Sequence, residues 1–105
     1  MQTLAAKDLD RHVRRNSGCM VIDLRSRQDF LASHVRGAVN VPYGSLRRMK
    51  GRLPRGTELV FYCERGGSAM AAARQLSDEG YRTTAVVGAY EDISRLTETV
   101  SGLHV

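Results

Sequence analysis

Short apolar runs, each closed by turn-forming residues, alternate along this chain with stretches whose apolar residues recur at helical spacing. CMVIDL (residues 19–24), AVNV (38–41), ELVFY (58–62) and TTAVV (83–87) read as strands, with a shorter one around residues 2–4. Residues 4–13 repeat apolar side chains as Leu4, Ala5, Leu9 and Val13, and residues 28–34 predict a short helix with Ser26 as its N-cap. A basic helix is expected over residues 45–53, stopped by Pro54. The alanine-rich stretch 68–79 predicts the strongest helix, with Gly80 just past its end, and a last short helix is expected over 89–96. The tail TETVSGLHV shows little periodicity. Strands alternating with helices at this spacing imply an α/β fold, a mostly parallel central sheet flanked by helices on both faces. At 105 residues the expectation is one domain over residues 1–105.

Two cysteines, Cys19 and Cys63, are too few for a disulfide framework and lack the histidine pairing of a zinc site, so no metal and no cofactor is expected. One Cys19–Cys63 disulfide is compatible with the count; a reduced, cytoplasmic chain is the expectation. MQTLAAKDLDRHVRR carries charges throughout and reads as neither a secretory signal nor a membrane span. The net charge is +5, with basic clusters at Arg14-Arg15 and at Arg47, Arg48, Lys50 and Arg52. No aromatic residues interleave with these arginines, so they read as solvated surface and not as a platform for nucleic acid. A positive field still gathers small anions.

The chemistry concentrates at Cys63, between the strand ELVFY and the alanine-rich helix. Ligands of parallel sheets bind beyond the carboxyl ends of the strands, where the next helices begin. Gly66 and Gly67 let the backbone curl, and the N–H groups of Glu64, Arg65, Gly66, Gly67 and Ser68 are expected to form an anion nest at the helix N-terminus. Such a nest favours a thiolate, and it suits the extra sulfur of a persulfide or the oxygens of thiosulfate. The opposing reading is a packing cysteine beside an ordinary turn, and for Cys19 packing is preferred. Cysteine phosphatases and arsenate reductases use a loop C-x-x-x-x-x-R, but the sixth residue after Cys63 is Ala69. That alternative lacks its clamp.

Four ordered blocks resemble the rhodanese family of sulfurtransferases: LAAKDL, VIDLRSRQDFLASHVRGAVNVPY, LVFYCERGGSA and VVGAYEDI. The resemblance implies attack of the Cys63 thiolate on a donor such as thiosulfate, a Cys63 persulfide held by the loop from Glu64 to Ser68, and delivery to cyanide, a thiol or a sulfur-accepting protein. It implies no catalytic histidine, in keeping with the settings of His12 and His104. Asp23 and Arg25 are expected to border or support the pocket, and His34 with Gly37 to lock the turn before AVNV. The family loop often reads C-x-x-G-x-R-S; here Ser68 takes the arginine position, and Arg65 is the candidate to supply positive charge. Arg36, Ala89 and Ile93 stand where proline, glycine and tryptophan are frequent. Besides an enzyme, a persulfide relay module serving a dedicated protein remains open, as does a silent regulatory module, against which the presence of Cys63 argues.

Overall fold

The computed structural model describes residues 1–103. Five parallel strands form the central sheet: β1 (Gln2–Ala5), β2 (Met20–Asp23), β4 (Val39–Asn40), β5 (Leu59–Tyr62) and β6 (Thr83–Val87), in the order β1-β6-β5-β2-β4. The helices are α1 (Leu9–Arg15), α2 (Arg27–Ala32), α3 (Leu46–Met49), α4 (Gly67–Asp78) and α5 (Tyr90–Leu96). Side chains alternate across β5 and divide the core. Leu59, Phe61 and Cys63 face α3 and α4 with Ile22 and Leu24. Val60 and Tyr62 face α1, α2 and α5 with Val21, Phe30 and Ile93. All four β5 residues are buried, which is why this strand shows as a continuous apolar run.

The strongest helix forms as its composition demands. Ala69, Ala72, Ala73 and Leu76 make one buried stripe on α4 at helical spacing. Its end is closed by Gly80 at φ +96°, with the Tyr81 N–H donating to Leu76 O at 3.1 Å and the Gly80 N–H to Ser77 O at 3.0 Å. That is a Schellman motif, in which the left-handed residue costs glycine nothing. α2 starts as expected, with the Asp29 N–H donating to the Ser26 hydroxyl at 3.1 Å.

Three local expectations are corrected. Leu4 and Ala5 are not helical: they pair with Val86 and Val87 in the sheet, and a 3-10 turn at Ala6–Asp8 precedes α1. The basic helix is broken into a 3-10 turn at Tyr43–Ser45, the four residues of α3 and a second 3-10 turn at Lys50–Arg52, where Gly51 weakens helix continuation. Part of the tail is ordered, since β7 (Thr99–Val100) pairs antiparallel with β3 (His34–Val35). His34 therefore belongs to a strand and not to the preceding helix. No described helix is long and apolar enough to cross a membrane.

Candidate active site

The strands β2 and β5 lie side by side, yet the helices that come after them go to opposite faces, α2 to one and α4 to the other. The carboxyl ends of two such strands open a crevice, and Cys63 stands there, directly after β5. Its side chain is buried, 5% exposed. The Gly66 N–H donates to Sγ at 3.0 Å and the Ala69 N–H at 3.3 Å. These two donors favour negative charge on the sulfur. Gly66 reaches this position at φ +101°, a left-handed conformation, and a Cβ there would meet the Gly88 backbone at 3.5 Å. The loop is further pinned by the Tyr90 N–H, which donates to Glu64 O at 2.9 Å. Above the thiol lies a cup of about 290 Å³, lined by Cys63, Glu64, Arg65, Gly67 and Ser68. Gly67 and Ser68, the first residues of α4, line the same cup, and their N–H groups have no preceding turn to bond to.

Beneath the cup a buried polar network joins the two strand ends. The Arg25 guanidinium donates to both Asp23 carboxylate oxygens and to the carbonyls of Asp29 and Ser33. Burial alone would lower the Arg25 pKa, but the hydrogen bonds and charge of Asp23 outweigh it and raise the pKa above its ordinary value. The Tyr90 ring covers the guanidinium at 3.7 Å, and the Tyr90 hydroxyl bonds Ser33 Oγ at 2.7 Å. Tyr62 donates to Asp23 Oδ2 at 2.5 Å and accepts from the Val35 N–H at 3.0 Å. Burial first, then the charge of Asp23, pushes the Tyr62 hydroxyl pKa far up, so it stays protonated. The Asn40 amide donates to the carbonyls of Asp23 and Arg25, at 3.1 and 3.0 Å.

Residues 5–96 match the sequence model of the Rhodanese-like domain. The chain belongs to that family. It is 28% identical over 91 residues to the thiosulfate sulfurtransferase GlpE of Pseudomonas savastanoi pv. phaseolicola, across 84% of this chain and 86% of that protein. A tRNA sulfurtransferase of Thermoplasma acidophilum is 31% identical over 84 residues, covering 79% of this chain but 16% of the relative. An adenylyltransferase and sulfurtransferase of Candida glabrata is 31% identical over 91 residues, covering 74% of this chain and 21% of the relative. The chain thus spans only a small part of these two longer proteins. Among solved structures, a rhodanese-like domain from Anabaena superposes with TM-score 0.83 at 17% identity, covering 96% of this chain and 80% of that one. A rhodanese-related protein from Thermoplasma volcanium superposes with TM-score 0.81 at 22% identity, covering 95% and 98%. At these identities the structures show the fold.

Set in this rhodanese-like fold, the loop residues singled out from sequence converge, with differences in detail. Glu64, Arg65, Gly67 and Ser68 line the cup with Cys63, whereas Gly66 is buried beneath it. The N–H donors on Sγ are those of Gly66 and Ala69, the latter one residue beyond the expected nest. Gly67 has open space for a Cβ and no positive φ, so only Gly66 of the pair needs to be glycine. Asp23 and Arg25 do not line the cup; they lie below it, Arg25 Nη1 standing 3.7 Å from Glu64 Oε1. Tyr62 and Tyr90 are parts of this site that the sequence reading misses, although each is a polar aromatic beside an apolar run, which is the available signal.

The two cysteines are free and sit at opposite ends of the sheet. Cys19 lies level with Glu58 in the β2–β5 register, and Cys63 is five residues further on, roughly 16 Å at strand rise. A bridge between them is geometrically excluded. Burial, then the negative charge of Glu58, raises the pKa of the Cys19 thiol. His12 is not isolated: it bonds both Glu58 carboxylate oxygens, at 3.0 and 2.9 Å, and Thr84 donates to the same carboxylate at 2.5 Å. His104 lies outside the described residues.

Proposed function

We propose that this rhodanese-like chain carries sulfane sulfur on Cys63 and is a sulfurtransferase of the thiosulfate type, acting as one domain in the cytoplasm. The observation that carries the reading is the pair of N–H donors from Gly66 and Ala69 on a thiol at the base of an open cup. The Cys63 thiolate attacks the outer sulfur of thiosulfate, the S–S bond of the donor breaks, and sulfite leaves with that bond's electron pair. The product is a Cys63 persulfide anion. Its outer sulfur occupies the cup, where the N-terminal N–H groups of the 12-residue α4 stabilise its charge. Cyanide or a thiol then attacks that sulfur and regenerates the thiolate, completing covalent catalysis without a general base. No resident cofactor takes part in these steps.

Thiosulfate-dependent conversion of cyanide to thiocyanate tests this directly. Turnover that vanishes in Cys63→Ser supports it; a chain on which no donor places sulfur contradicts it. A relay to a protein acceptor is the second reading. It is favoured by Tyr43 and Val87, 41% and 52% exposed, which bring apolar surface to the carboxyl edge of the sheet. A persulfide that forms readily but passes poorly to cyanide would point to that reading. The phosphatase alternative is disfavoured by Ala69, whose backbone N–H points at the sulfur where that chemistry needs an arginine side chain. Hydrolysis of an aryl phosphate by the wild-type chain would revive it.

A further inference from the structure

The charges anchored around the cup do not cancel. Asp23 and Arg25 are both buried and paired, at 3.0 Å between Nη2 and Oδ2. Arg25 is held on several sides, by Asp23, by the carbonyls of Asp29 and Ser33, and by the Tyr90 ring above it. Its Nη1 is left facing the Glu64 carboxylate at 3.7 Å. Glu64 in turn lines the cup beside Cys63, with its side chain 59% exposed. The trio Asp23, Arg25 and Glu64 therefore sums to one negative charge, and Glu64 is its solvent-facing end. Tyr62 adds no charge because its hydroxyl stays protonated. Arg65 brings a positive charge to the rim, but it is exposed and no partner for it is seen among the described residues. A long untethered side chain spreads its charge over many rotamers, whereas the Glu64 charge has a fixed, buried anchor.

We propose that Glu64 is a specificity-determining residue of the Cys63 cup, its Arg25-anchored carboxylate discriminating against dianionic sulfur donors in favour of donors carrying one negative charge or none. The inference rests on the persulfide reading above and names the donor class, an alkyl persulfide R–S–SH. The step balances: the Cys63 thiolate attacks the outer sulfur, the donor's S–S bond breaks, R–S⁻ leaves with that bond's electron pair, and the proton stays on the outer sulfur of the new Cys63 persulfide. Wild-type thiolate plus thiosulfate brings three negative charges next to Glu64, while thiolate plus a protonated alkyl persulfide brings one.

The experiment follows sulfur addition to Cys63 over time by intact mass, with thiosulfate and with 2-hydroxyethyl persulfide as donors. It compares the wild-type chain with Glu64→Gln and Glu64→Ala. At low salt the ratio of the thiosulfate rate to the persulfide rate rises about tenfold in both variants, the size expected for one rim charge acting on a dianion. At about 1 M salt, where the screening length is about 3 Å, that rise largely disappears. An unchanged ratio in both variants overturns the proposal, and so does a rise that persists at high salt, which would mark a steric effect. If neither donor adds sulfur to the wild-type chain, the persulfide reading itself falls and this one with it.

Discussion

At Cys63 the neighbours that matter most are backbone groups, so the loop's conformation is itself part of the chemistry. Gly66 and Gly67 stand side by side and look equivalent in sequence, yet only Gly66 is left-handed, at φ +101°, and only it is buried against Gly88. Gly66→Ala is expected to cost about 1–2 kcal/mol in urea unfolding, since a Cβ is disfavoured at that φ. The same variant takes up sulfur more slowly, because relaxing φ turns the Gly66 N–H away from Sγ. Gly67→Ala, at an open helix start, is expected to stay within about 0.5 kcal/mol of wild type. Equal tolerance of both substitutions would show that the loop is not held as described. Which of the two glycines takes the left-handed conformation depends on where the β6–α5 connection packs, information that local sequence does not contain.

Among the elements, those legible in sequence are the ones whose own residues determine them. β5 is apolar because it is buried on both faces, and α4 shows its alanine stripe and closing Gly80 because packing and termination are both local. Gly80→Ala is expected to cost about 1 kcal/mol, read as a lower midpoint in urea, because the Schellman closure places that residue at φ +96°. An unchanged midpoint would contradict such an ending for α4. Elements decided by distant partners are harder to read. Leu4 and Ala5 share helical spacing with Leu9 and Val13, but the β6 ladder claims them for β1. β7 has two residues and exists only because β3 offers its edge. In the site, the thiol and its loop are legible because they are contiguous. The network of Arg25, Tyr62 and Tyr90 is not, since it brings together residues as far apart as Asp23 and Tyr90.

For the molecule as a whole, that network ties the ends of β2 and β5 to α2 and α5 under the cup. Its best thermodynamic signature lies at high pH. The Tyr62 hydroxyl has its pKa raised in the fold from 10.0, by burial first and by Asp23 second. Above about pH 10 the unfolded chain ionises this group while the folded chain keeps it protonated. Its contribution is therefore complete below that pH and is lost as pH rises beyond it, by up to about 1.4 kcal/mol per pH unit. Tyr62→Phe is expected to be less stable at neutral pH, by about 1–3 kcal/mol for the broken bonds to Asp23 and Val35, and to lose stability less steeply above pH 10. Parallel pH slopes for the two proteins would refute the assignment. The function of the whole molecule turns on one sulfur atom. The most direct measurement is the intact mass of the chain after incubation with thiosulfate, for wild type and for Cys63→Ser. The expected result is one added sulfur on the wild-type chain, removed by cyanide, and none on the variant. Sulfur added equally to both, or to neither, would contradict it.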